Sequence, residues 1–438
     1  MLSMVNAKVF HVDPARGSIG NDGSEAKPWR TLEEVLKAGQ VRTRVPGSSG
    51  SGWTERNPEG LVGPGDTIVL HTGYHGRFEM AGGHNEEPIT IMAAEGAVPT
   101  LGKIRLAGVS KWVFKGLTVT PSAAPEYRRE VLVDIANDKR FGGSREVTVE
   151  DCGIFSVEDV SGWSKADWNE KPCNGIQVSA NECVIRNNRV RNINFGISVT
   201  GKDALVDRNL VENFAGDGLR GLGDGGVFQY NTVRNCYDVN DNHDDGFQSW
   251  SVGPKGVGTG VVKGIVLNGN VFINFTDPDQ PFRGTLQGIG CFDGFFEDWV
   301  IENNVVVVDH WHGITLLGAK NCVIRNNTVV DSKSGRPGPP WIQIGKHKKG
   351  TASSGCVVRD NLGADFRISE GNRSEHNLKL GELDRFFVNA AEFNFRLRKG
   401  SPAIDAGPGD DPPGLDAEGK TRVVGKSIDA GAYEYGNE

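Results

Sequence analysis

The chain has 438 residues, 37% hydrophobic and 24% charged, with a formal net charge of −8. That balance excludes wholesale disorder, the acidic surplus leaves no basic footprint for nucleic acid, and no run of 18 apolar residues offers a membrane-spanning helix. Sixty glycines without a G-x-y period exclude collagen, and seven cysteines with no C-x-x-C pair indicate neither a disulfide framework nor structural zinc.

The opening MLSMVNAKVFHVDP lacks the basic segment and apolar core of a secretory leader. Residues 28–38, PWRTLEEVLKA, read as a helix. Thr31 and Glu34 have capping-box spacing, and Trp29, Leu32, Val35 and Leu36 form an apolar face. A solenoid needs its open end covered, so residues 1–64 are expected to form an N-terminal capping segment.

A repeat follows. Faint copies at 112–119 (WVFKGLTV) and 147–154 (VTVEDCGI) lead to VIRNNRV (184–190), LVDRNLV (205–211), VFQYNTV (227–233), VLNGNVF (266–272), VIENNVV (300–306), VIRNNTV (323–329) and VVRDNLG (357–363). The aligned asparagines are Asn188, Asn209, Asn231, Asn270, Asn304, Asn327 and Asn361, spaced 21, 22, 39, 34, 23 and 34 residues apart. Each copy is preceded by an alternating strand opened by glycine, such as GIQVSA (175–180) and GITLLG (313–318). Ile176, Val178, Ile197, Val199, Leu219, Phe247, Ile289, Cys291, Ile314 and Leu316 point inward. Gln177, Ser198, Arg220, Gln248 and Thr315 point outward.

Short strands in units of about 22 residues predict an all-β fold, a parallel β-helix over 65–365. The asparagines tolerate left-handed turns and can bond amide to amide between coils, a structural ladder rather than a catalytic one. A leucine-rich repeat would require an L-x-x-L-x-L frame, which is absent. The repeat fades in 366–438, which is expected to be an irregular closing segment packed on the helix.

Three regions are similar to the right-handed parallel β-helix superfamily of pectate-lyase-like proteins: FHVDPARGSIGNDGSEAKPWRTLEEVL (10–36), the Asn-turn coils, and GSPAIDAG (400–407) with DAGAYEY (429–435). The resemblance implies a right-handed solenoid and activity on polysaccharides. The superfamily holds hydrolases, lyases, epimerases, tailspikes and adhesins, so the fold does not choose the reaction.

The residue before each strand-opening glycine forms a column: Asn174, Phe195, Asp217, Asp245, Gln287 and His312. Its densest neighbourhood is DVNDNHDDGFQSW (238–250). Carboxylates on adjacent coils push one another's pKa apart, giving an acid and a base for glycosidic hydrolysis. Asp217, Asp244, Asp245 and His312 are therefore the candidate catalytic residues. Arg220, Gln248, Trp250, Phe292 and Lys346 are the candidate substrate contacts, and Trp311 is a further stacking ring.

Asp217-Gly218, Asp244-Asp245 and His312-Gly313 resemble, in chain order, the elements of polygalacturonase-type family 28 glycoside hydrolases. The coil opened by Gln287 interrupts that pattern, and Lys346 lies one residue out of phase with its basic element.

Hydrolysis of a polysaccharide or oligosaccharide, with no cofactor, is the leading expectation. The alternative is a lyase or uronate epimerase. In that reading the run Asp238, Asn240, Asp241, Asp244, Asp245 holds calcium, with Asp238 and Asp241 as ligands, and Arg220, His243 or a lysine is the base. A third reading is a non-catalytic tailspike or adhesin. A homo-oligomer is allowed by each.

Overall fold

The structure is a computed structural model that describes residues 7–47, 52–332, 337–408 and 411–436. The start of the region expected to lack a leader, residues 1–6, lies outside them. Two compact units divide the chain, Met1–Leu205 and Val206–Glu438.

In the first unit, strands Val9–Val12, Thr67–Leu70, Arg77–Ala93 and Lys103–Lys115 pair in parallel. Strands Val131–Ala136 and Arg145–Glu150 both extend Lys103–Lys115. Coiling thus begins near residue 9, well before the expected 65. The helix forms at Leu32–Lys37, with Leu32 and Val35 buried. Only half of its capping box is made. Thr31 accepts from the Glu34 N–H, while the Glu34 carboxylate is held by Arg30. An antiparallel hairpin, Thr43–Pro46 with Trp53–Arg56, joins the coil edge at Arg44↔His84.

In the second unit, three rows of parallel strands build the coils. One row runs Leu219–Gly221, Asp245–Trp250, Gln287–Asp293, His312–Leu317, Trp341–Gly345 and Asp365–Ile368. Its inward positions stack in register: Leu219↔Phe247, Phe247↔Ile289, Ile289↔Ile314. A second runs from Val227–Gln229 to Arg373–Glu375, and a third from Leu210–Phe214 to Leu378–Lys379. Coiling therefore passes the expected boundary at 365 by one further turn.

The asparagine ladder forms between the second and third rows. Asn209, Asn231, Asn270, Asn304 and Asn327 each donate from Nδ2 to the Oδ1 of the next, at 2.9 Å, and Asn361 extends the series to Asn377. All are buried, so the spacing of like residues records a hydrogen-bonded spine. Of the two expected reasons for asparagine, the amide pairing between coils forms, and the left-handed conformation is the one that requires correction. The left-handed position is the residue before each rung: Arg208, Tyr230, Gly269, Asn303, Asn326 and Asp360 have φ between 52° and 66°. The rung itself is chosen for its amide.

Candidate functional site

Three coils of the first row open with the same local device. A polar residue stands before glycine and bonds the residue three positions on. Arg220 Nε donates to Asp217 Oδ2 at 2.5 Å, Gln248 Nε2 to Asp245 Oδ2 at 2.8 Å, and His312 Nδ1 lies 3.0 Å from Thr315 Oγ1. The glycine is needed because the chain folds tightly there. A Cβ on Gly246 would stand 2.7 Å from Phe272 Cδ1 and 2.9 Å from Gly288 O. On the Gln287 coil the third position is Gly290, whose missing side chain leaves room for the Asp245 carboxyl. A Cβ there would lie 2.2 Å from Asp245 Oδ1.

The acidic column is therefore buried. Asp217 and Asp245 are 1% and 0% exposed. Burial raises both carboxyls from their ordinary value, Asp245 well above it. Asp217 is the ionised member, because Arg220 and the Asp245 backbone N–H (3.1 Å) donate to it. Asp245, beside that charge and with Oδ1 unpartnered, holds the proton. Burial pushes Asp244 up to about 7, and Asn242 Nδ2 donates to its Oδ1 at 3.1 Å.

Above these carboxyls lies a groove of about 750 Å³ whose lining includes His243, Gln248, Trp250, Phe292, Asp293, His310, Trp311, His312 and Lys348. Among the predicted catalytic residues only His312 lines it; Asp217, Asp244 and Asp245 do not. Gln248, Trp250 and Phe292 do, as expected. A bulge at Ser249/Trp250 sets Trp250 opposite Asp293 rather than beside Phe292. Arg220 packs its guanidinium 5.4 Å from the Trp250 ring centroid and is committed to Asp217.

Lys346 is exposed and outside the groove. Lys348, in the turn that follows the strand, reaches the groove instead and pairs with Asp293 at 2.8 Å. His347, expected in an exposed basic loop, is buried against Phe295. Thr315, expected to face outward into solvent, is fully buried beneath His312 and the Trp341 indole, which donates to its Oγ1 at 3.0 Å.

Two of the three groove imidazoles, His310 and His312, have assignable protons. The His312 backbone N–H donates to His310 Nδ1 at 3.2 Å, so that nitrogen is bare and the His310 proton sits on Nε2. Thr315 Oγ1 already accepts from Trp341, and its own buried proton has His312 Nδ1 as acceptor, which puts the His312 proton on Nε2 too. Burial lowers the pKa of both rings, His312 to about 4, with His310 and Arg367 adding to the shift. Both are neutral donors at ordinary pH.

The expected calcium ligands do not converge. Asp241 is exposed while Asp244 and Asp245 are buried, and among the described residues no three His, Cys, Asp or Glu side chains gather as a metal site. The donor set does not fit the ion, and no step is routed through it. His310, Lys348 and Asp293 were missed as site members because strand phase alone does not locate a bulge or a loop's inward turn.

A family model described as a right handed beta helix region matches residues 174–358. The fold is a right-handed parallel β-helix. Pectate lyase Pel9A is similar over 98% of this chain and 96% of its own, at 15% identity and a TM-score of 0.51. A rhamnogalacturonan lyase covers 90% and 94%, at 13% identity and 0.42. The A-module of the Azotobacter vinelandii mannuronan C-5 epimerase AlgE6 covers 72% and 91%, at 11% and 0.46. No curated protein matches the sequence.

Proposed function

We propose that this β-helix is an enzyme of acidic polysaccharides that cleaves a uronate-containing chain by β-elimination. The observation that carries the reading is the groove's composition. Aromatic faces, two neutral imidazole donors and the Lys348–Asp293 pair line it, while the three candidate carboxyls are buried outside its lining. The likeness in fold to a pectate lyase supports a polysaccharide substrate.

Sugar rings stack on Trp250, Phe292 and Trp311. The uronate carboxylate takes Lys348 as counter-charge and accepts from the Nε2–H groups of His310 and His312. Neutral donors suit this task, because negative charge grows on the carboxylate as the C5 proton leaves. His243, exposed on the rim, takes that proton. The C5–H electron pair becomes the C4–C5 double bond, the C4–O bond breaks, and the leaving oxygen is protonated from His243 or water.

Glycoside hydrolysis is the second reading, favoured by one observation. Asp244, held up to about 7, has the pKa of a general acid, and Asp293 in the groove supplies a second carboxylate.

Polygalacturonate, alginate and a neutral glucan, each monitored for reducing ends and for the ultraviolet absorbance of an unsaturated product, test the choice. Elimination gives both signals in equal amounts, and His243→Ala reduces both at least about a hundredfold, the usual worth of a general base. Reducing ends without absorbance establish hydrolysis. Binding of a polysaccharide without either signal overturns both enzymatic readings.

A further inference from the structure

The first unit carries a second cavity, of about 600 Å³, where the antiparallel hairpin meets the coils. Trp53 is 53% exposed at its wall, a large apolar ring left in water. The Arg44 guanidinium lies 5.6 Å from the centroid of that ring. Arg44, Lys111 and Arg145 line the cavity; Arg44 pairs with Glu86 at 2.6 Å, and Lys111 and Arg145 share Glu146 at 3.9 and 3.3 Å, so the cluster keeps one positive charge in excess. His84 adds no charge. Its Nε2–H donates to Phe141 O at 2.9 Å, and burial lowers its pKa.

One feature marks the place as built. Asn85, 4% exposed, has an Oδ1 with no partner, and its Nδ2 contacts to Ser110 O and Lys111 O are 3.3 and 3.1 Å. An unpartnered acceptor wants a hydroxyl donor, the one positive charge in excess favours an anion, and the indole face wants a C–H face. One class of molecule offers all three, a sugar ring bearing a carboxylate or sulfate.

We infer that the Trp53 cavity is a separate binding site for an acidic oligosaccharide, independent of the groove in the second unit. The inference stands whether or not the groove is catalytic.

The test uses the full chain with Trp250→Ala, which weakens stacking in the groove. Titrants are hexasaccharides of galacturonate, alginate and heparin, with cellohexaose as the neutral control, and the readout is calorimetry. At least one anionic hexasaccharide should bind, weaken steeply with added salt, and lose at least tenfold in affinity on adding Trp53→Ala or Lys111→Gln. Cellohexaose should not bind. Binding unchanged by both added substitutions, equal binding of cellohexaose, or no binding of any anionic probe overturns the inference. Loss of catalysis in Trp250→Ala bears only on the groove, so the two readings fail separately.

Discussion

Asp244 holds its proton up to about pH 7 because the coil removes its carboxyl from water, and that has a thermodynamic consequence. Its folded pKa of about 7 lies above the 3.8 of the unfolded chain. Between those values the folded protein binds a proton that the unfolded chain has released, so this group's contribution to stability falls as pH rises from 4 to 7 and is level above. The size is on the order of 4 kcal/mol, at about 1.4 kcal/mol per pKa unit. His312 works in the opposite direction. Its folded value of about 4 is below the ordinary 6.5, so its contribution is full above 6.5 and is lost as pH falls toward 4. Asp244→Asn has no titrating group there, so its denaturation midpoint should gain on the wild type as pH rises from 5 to 8. Parallel curves for the two proteins would mean Asp244 is ionised and solvated. The sequence made the identity of these carboxyls legible through the D-G column. Their depth was not legible, because the space that takes Asp245 is made by Gly290 on the next coil, and only the register reveals it.

At the scale of the element, the repeat was the most readable feature of the chain, since a stacked amide selects the same residue at every turn. Asn304 shows what each rung does. Its Oδ1 accepts from the backbone and side chain of Asn270, and its Nδ2 donates to Leu267 O and Asn327 Oδ1. Asn304→Ala strands several of these groups without water. At about 1–3 kcal/mol for each buried group left unsatisfied, a loss of at least about 3 kcal/mol is expected in chemical denaturation. A loss under 1 kcal/mol would show that the ladder relaxes and re-pairs. The helix at Leu32–Lys37 was legible from its apolar spacing, though Arg30 takes the Glu34 carboxylate that spacing alone gives to the box. The hairpin at 43–56 was not foreseen, because four-residue strands with mixed polarity carry no period to read.

For the chain as a whole, the closing segment was expected to pack on the helix, and within the second unit its residues bury the outer face of the third strand row. Ile273, Val305, Val307, Val330 and Leu362 form one cluster with Phe386, Phe387, Phe395, Leu397, Ala403, Ala430 and Ala432. The four consecutive valines at 305–308 already carried that signal, since a strand buried on both faces reads as an unbroken apolar run. What the sequence hid is the polar clamp. Arg422 is fully buried, 3.4 Å from the equally buried Glu434, and donates to Asn303 Oδ1 at 2.6 and 3.1 Å and to Gly431 O at 2.8 Å. Arg422→Ala leaves the Glu434 charge without its cation, a change that costs about 3–5 kcal/mol in a buried pair. The expected result is a lower melting temperature, with limited proteolysis cutting first beyond residue 398. Arg396→Ala is the control, because its pair with Glu418 is part-exposed and worth about 1 kcal/mol or less. If Arg422→Ala melts and is cleaved no differently from Arg396→Ala, apolar packing alone fixes the segment, and the clamp contributes only to its register.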